Sequence, residues 1–182
     1  MNALELLNSQ HEEVKALFEE IEETDDPEDK AGLFEELAAS IAAHATIEEK
    51  IFYPAAYANA TKELLSEAVE EHLAAKRILA DLLKMSVEDG QFHAKLKVLK
   101  DELEHHIEEE EGELFPKVRE ELDAAKLEAL GAQMEDLFDS ELDDGAAEKI
   151  PLELERAASI KPAKSAKAPK APKAPKRQPA RQ

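Results

Sequence analysis

The sequence predicts an all-α fold, a four-helix bundle with a short fifth helix and a disordered basic C-terminal tail. Four stretches carry apolar residues at alternating steps of three and four, the spacing that keeps to one face of a helix. Capping residues and prolines punctuate the stretches. Each of the four apolar stripes is interrupted once by a histidine, and two of these histidines are followed four residues later by a glutamate.

The first stripe runs Leu4, Leu7, His11, Val14, Phe18, Ile21. The second runs Phe34, Leu37, Ile41, His44, Glu48, Ile51, Ala55, and Asp26 with Pro27 gives it an N-cap and a first-turn proline. The third is Leu65, Ala68, His72, Ala75, Leu79, Leu82, capped by Thr61. The fourth is Leu96, Leu99, Leu103, His106, Glu110, Leu114, and Ser86 with Asp89 resembles a capping box near its start. Pro54 and Pro116 should kink or end the second and fourth helices just beyond the glutamates. Residues 124–142 read as the short fifth helix, through Leu127, Leu130, Met134, Leu137 and Phe138, able to pack on the bundle or to face a partner.

Burying an imidazole or a carboxylate without partners costs several kcal/mol, so six such groups in one core must be satisfied together, and metal ions do that. The axial heights agree. His11 lies thirteen residues before the first loop and His44 about fifteen after it; His44 is fifteen from the turn at Asn59 and His72 eleven beyond Thr61. His72 is fourteen before Ser86 and His106 twenty beyond it, a match that tightens if the fourth helix begins near Gly90. In an antiparallel bundle all four histidines come within a turn or two. His93, off the stripe and near a helix start, reads as a surface residue. His105 points roughly 100° away from His106 and reads as a residue behind the ligands or on the surface, the alternative being that it takes the ligand place of His106.

Neutral imidazole with carboxylate suits iron, manganese or zinc, and a chain with no cysteine has no thiolate chemistry. Six protein ligands exceed one tetrahedral zinc and suit two six-coordinate ions bridged by carboxylates and water, with iron the best fit. The ferritin-like carboxylate site needs Glu-x-x-His twice, whereas here it occurs once, at Glu102 and His105.

An internal repeat sharpens the pattern. His44-Ala-Thr-Ile-Glu48-Glu49-Lys-Ile-Phe-Tyr-Pro54 aligns with His106-Ile-Glu-Glu-Glu110-Glu111-Gly-Glu-Leu-Phe-Pro116, histidine to proline being ten residues in both. With the His-Glu-Glu near the N-terminus and the isolated third-helix histidine, this pair of segments resembles the hemerythrin-like HHE cation-binding domain over about residues 1–122. The resemblance implies an up-down-up-down bundle around a non-haem di-iron centre with two carboxylate bridges and a solvent bridge. It further implies that His11, His44, His72 and His106 are terminal ligands and Glu48 and Glu110 the bridges. Oxygen-carrying hemerythrins have a second histidine on the third helix where Lys76 stands here, and their fourth-helix carboxylate follows its histidine by five residues. The four-His, two-Glu set is more similar to HHE proteins linked to iron release, nitric oxide or oxidative stress than to reversible oxygen carriers.

Three segments are expected: the bundle at 1–122, an accessory helix and acidic linker at 123–160, and a Lys/Ala/Pro-rich tail at 161–182. The 182 residues allow one domain with a real core. No twenty-residue apolar run exists and the N-terminus has neither a basic start nor an apolar signal segment, so a cytoplasmic protein without a transmembrane segment is expected. The last 22 residues hold eight Lys or Arg, five prolines and no acid, so the tail carries +8 against −28 before it. Such a tail should stay disordered; it suits weak contact with nucleic acid, an anionic surface, another acidic partner or its own acidic bundle. The leading functional expectation is a di-iron protein that senses, stores or scavenges oxygen species, nitric oxide or iron. An enzyme acting on peroxide or donating iron for repair, and a scaffold with a basic interaction tail, are the alternatives.

Overall fold

The computed structural model describes residues 1–163; the tail expected to be disordered lies outside the described residues from 164 onward. Four long helical arms form the body: α1 (Ala3–Glu23), α2 (Pro27–Ile47), α4 (Lys62–Leu82) and α5 (Phe92–Glu109). Helix α2 runs through a π-helical turn (Glu48–Phe52) into the short α3 (Tyr53–Ala56), and α5 runs through a second (Glu110–Leu114) into α6 (Phe115–Glu121). After these come α7 (Ala124–Asp143), α8 (Ala146–Lys149) and a 3₁₀ turn (Ile150–Leu152). No strand occurs among the described residues.

Two apolar clusters, one on each side of the histidine level, fix the helix directions. One joins Phe18 and Ile21 of α1 with Phe34 and Leu37 of α2, Leu79 and Leu82 of α4, and Phe92 and Leu96 of α5. The other joins Leu4 and Leu7 with Ile47 and Phe52, Leu65 and Val69, and Leu114 and Val118. Late residues of α1 and α4 thus meet early residues of α2 and α5, so successive arms run in opposite directions.

Local chemistry sets the helix starts. Asn2 Oδ1 accepts hydrogen bonds from the Leu4 and Glu5 amides while the Glu5 carboxylate accepts from the Asn2 amide, a capping box. Asp26 caps α2 through the Glu28 and Asp29 amides, with Pro27 in the first turn. Two expected caps differ. Thr61 precedes α4, but its hydroxyl donates to the Ala56 and Ala58 carbonyls and accepts from the Ala58 amide, closing the turn before the helix. Ser86 and Asp89 accept from the Glu88 and Gln91 amides within the loop, and α5 begins only at Phe92. That late start brings His106 level with the other histidines.

The second arm ends at Ala56, two residues past Pro54, whereas the fourth runs on through Pro116 to Glu121. A proline lacks an N–H and its ring collides with the carbonyl four residues back; here the preceding turn widens, with the Tyr53 amide bonding to the Glu48 carbonyl and the Phe115 amide to that of Glu110, both i→i−5. The extra residue in the turn shifts the buried face. Phe52, Tyr53 and Ala56 are buried beyond Glu48, whereas Ile51 and Ala55, expected on the stripe, are only partly so.

The fifth helix is not short. At 20 residues α7 matches the arms, and it lies on α1 and α2, with Leu127 and Met134 buried against the second cluster. Gly131 sits so close to the start of α1 that an added Cβ would come 2.8 Å from the Asn2 carbonyl carbon and 2.9 Å from the Ala3 nitrogen. Beyond α7 the chain folds back over α4: the Leu154 carbonyl accepts from the Arg77 guanidinium, Ala157, Ala158 and Ile160 pack on the second cluster, and the Ala163 amide donates to the Pro54 carbonyl.

Candidate metal centre

The six residues singled out by the stripes meet in the middle of the body. His11, His44, His72, Glu48, His106 and Glu110 are all buried, Glu48 completely. They form two groups whose donor atoms lie within 4.8 Å of one another: His11, His44, Glu48 and Glu110 in one, Glu48, His72 and His106 in the other. Glu48 is common to both. Its Oε2 is 3.2 Å from the Nε2 atoms of both His44 and His72, and Glu110 Oε2 is 3.4 Å from His11 Nε2.

All four imidazoles turn Nε2 inward and Nδ1 outward, and a single rule governs the outward contacts. His44 Nδ1 is 2.8 Å from Gln10 Oε1 of α1, and His72 Nδ1 is 3.0 Å from Glu49 Oε1 of the arm begun by α2. His106 Nδ1 is 2.7 Å from Glu71 Oε2 of α4, and His11 Nδ1 is 2.8 Å from Glu111 Oε1 of the arm begun by α5. Each histidine is held by the arm before it, around a closed ring. An oxygen that only accepts keeps the proton on Nδ1 and leaves the Nε2 lone pair facing the centre, the tautomer that binds a metal.

Four buried atoms in this centre have no hydrogen-bond partner: His11 Nε2, His44 Nε2, Glu48 Oε1 and Glu110 Oε2. Nε2 of His72 and Nε2 of His106 face each other at 3.2 Å, a contact that two lone pairs tolerate only with a proton or a cation between them. The donor set is therefore able to hold metal. Its electrostatics differ from residue to residue. Burial opposes a charged imidazole at His72, but the hydrogen bonds and charges of Glu48 and Glu49 outweigh it and push it up to about 9. Burial likewise opposes a charged carboxylate at Glu48, yet His44 and His72 hold it well below the usual carboxylate range. At His44 burial prevails and lowers the imidazole.

Residues that the stripes did not identify complete the site. Gln10, Glu49, Glu71 and Glu111 adjoin His11, Glu48, His72 and Glu110 in sequence, and that adjacency was the available signal. The Tyr53 hydroxyl donates to Glu110 Oε1 at 2.9 Å and reaches Glu48 Oε2 and His72 Nε2 at 3.3 Å. Lys76 is buried, its Nζ 3.1 Å from Glu49 Oε1 and 2.9 Å from Glu153 Oε2. It neither reaches solvent nor touches the two carboxylates of the centre; it acts on His72 through Glu49. His93 and His105 are exposed.

The Hemerythrin HHE cation binding domain family matches residues 2–118, a span that contains every residue of this centre. The chain belongs to that family. A solved HHE cation binding domain-containing protein from Mycobacterium kansasii is 28% identical, with a TM-score of 0.71 over 85% of this chain and 94% of that one. A DNA nickase from Nostoc sp. (strain PCC 7120) is 27% identical over 128 residues, 70% of this chain and 36% of that protein, so the HHE chain spans about a third of this relative's length. No helix among the described residues is long and apolar enough to cross a membrane.

Proposed function

We propose that this HHE protein holds a non-haem di-iron centre, with His11, His44, His72 and His106 as terminal ligands through Nε2 and Glu48 and Glu110 as bridging carboxylates. The four unpartnered buried atoms carry the reading. Leaving each such atom unsatisfied costs on the order of 1–3 kcal/mol; all four belong to the group of His11, His44, Glu48 and Glu110, and the second group, in which His72 Nε2 and His106 Nε2 face each other at 3.2 Å, calls for the second cation. The membership of Glu48 in both donor groups suits a bridge, and imidazole with carboxylate and no thiolate suits iron.

Iron bound there would supply redox and ligand-binding chemistry. Beside the four imidazoles lies an apolar cavity of about 20 Å³ walled by Val14, Ile41, Ala45, Ala75, Leu103 and Ile107, which admits one molecule of about the size of water. A space of this size beside the centre suits a small ligand such as oxygen, nitric oxide or peroxide. The function that follows is sensing, storing or scavenging such species, or iron itself, in the cytoplasm. Turnover of peroxide is the second reading, favoured by Tyr53. Burial and the charges of Glu110 and Glu48 hold its phenol well above the ordinary range, so it stays protonated as a donor at the centre. The basic tail supports weak binding to nucleic acid or an acidic partner.

Metal analysis after anaerobic purification, with absorption spectra before and after oxygen, nitric oxide or peroxide, tests the proposal. Two iron ions per chain are expected. One or fewer in fully loaded protein overturns it.

A further inference from the structure

We propose that Glu71, His105 and Glu109 form a weak outer divalent-metal site through which ions pass to and from the buried centre, an inference that rests on the metal reading of that centre. Their donor atoms lie within 4.8 Å of one another. His105 Nε2 is 3.4 Å from Glu109 Oε1 and 3.9 Å from Glu71 Oε1.

The sequence of α5 builds this group by doubling. His105 and Glu109 repeat the His-x3-Glu spacing of His106 and Glu110 one residue earlier, and a one-residue offset turns the copy about 100° outward. The corresponding positions on α2 are Ala43 and Ile47, both buried and apolar. The α2 arm therefore carries no matching outer pair.

Exposure falls along the route inward. The His105 side chain is 61% exposed, that of Glu109 30% and that of Glu71 17%. Glu71 belongs to both layers, with Oε1 toward His105 and Oε2 holding His106 Nδ1. A cavity of about 10 Å³, lined by Glu71 and Glu109 of the outer group and by His106 and Glu110 of the centre, continues the route. Glu110, which lines this cavity, is 2% exposed, has an unpartnered carboxylate oxygen and belongs to the donor group of the centre, so the cavity joins the outer group to a residue of the centre. Two carboxylates and one imidazole at a wet surface leave water on the ion, the condition for weak and exchangeable binding of Fe(II) or Mn(II). The −28 charge before residue 161 concentrates cations at such a mouth.

The test uses the iron-loaded full chain and its His105→Ala/Glu109→Gln variant. Mn(II) titration followed by electron paramagnetic resonance should show one weak site per wild-type chain, with affinity at least about tenfold lower in the variant. After reduction, release of iron to a ferrous chelator should slow by about tenfold in the variant, because ions leave by the path they enter. Resting iron content should be unchanged. Absence of the weak Mn(II) site in the wild type, its persistence in the variant, or release at the wild-type rate overturns the proposal. Loss of one resting iron in the variant also overturns it, by making His105 or Glu109 a ligand of the centre. A wild-type chain that holds no iron instead overturns the reading of the centre on which the proposal rests.

Discussion

Tyr53 and Phe115 stand at the same place in the two halves of the bundle, each nine residues after a histidine of the centre and one before a proline, and they differ by a hydroxyl. The Tyr53 ring stacks on His72 with centroids 5.6 Å apart, and the Phe115 ring stacks on His11 at 6.1 Å. Packing is thus nearly two-fold, while the single hydroxyl, 2.9 Å from Glu110 Oε1, makes the chemistry one-sided.

Tyr53→Phe removes that asymmetry with little change of shape. Iron content and helix content should hold, while oxidation of the reduced protein by peroxide slows on the order of 10²-fold if the phenol supplies a proton. Stopped-flow absorbance measures it. A wild-type rate in the variant removes Tyr53 from the chemistry.

The ring of outward contacts makes a graded prediction. Glu49→Ala and Glu111→Ala free an imidazole to turn without removing a proposed ligand, so iron should still saturate but bind about 10–100-fold more weakly in competition with a chelator. Glu48→Ala and Glu110→Ala should lose the bridged centre and its absorption. The reverse order would exchange the roles of the two carboxylates in each pair.

The inward residues were legible because a three-four stripe reports one face of a straight helix. His11, His72 and their apolar neighbours needed nothing more. Two kinds of residue were not legible. Gln10, Glu49, Glu71 and Glu111 each act on the next arm, and which arm lies beside them depends on packing rather than on periodicity. Tyr53 fell off the stripe because the π turn adds a residue just after Glu48, a phase slip that a fixed period of 3.6 cannot register.

The raised value at His72 predicts how metal affinity depends on pH. With no metal bound, this imidazole is charged below about 9, against an ordinary 6.5. Its contribution to folding is then fully present below 6.5 and is lost as pH rises through about 9. A metal must displace that proton, so affinity should climb up to about tenfold per pH unit toward pH 9 and then level off. Chelator competition measured across this range tests it, and a flat profile between pH 7 and 9 would remove the His72 proton from the equilibrium.

Gly131→Ala tests whether α7 is an integral part of the bundle. The new Cβ would strike backbone atoms of Met1, Asn2 and Ala3, which cannot yield as a flexible side chain does. A loss of about 1–3 kcal/mol is expected by denaturant unfolding. An unchanged midpoint would mean that α7 is loosely attached.

Lys76 stands where oxygen-carrying hemerythrins have a further histidine, and its burial decides what it does instead. Its ammonium joins Glu49, which holds His72, to Glu153 of the segment folded back over α4. Burial works against the charge on Lys76, but Glu49 and Glu153 more than offset it and raise the ammonium above its ordinary value. Glu49 is lowered despite its own burial, by His72 first and Lys76 next, so this carboxylate's contribution is present above its ordinary 4.5 and is lost only as pH falls through its lowered folded value. Lys76→Met should therefore cost about 3 kcal/mol of stability, because it leaves Glu49 buried beside a single cationic partner. Adding Glu49→Gln should restore much of that loss, and failure to do so would show that packing, not charge, is what Lys76 supplies. In the proposed di-iron centre, lysine in place of a histidine ligand would also leave one ion a nitrogen ligand short. The reduced wild-type protein should accordingly oxidise in air without a long-lived oxygenated form, and Lys76→Met should change its reaction with peroxide or nitric oxide more than its iron content. A stable, reversible oxygen adduct in the wild type would restore the carrier reading.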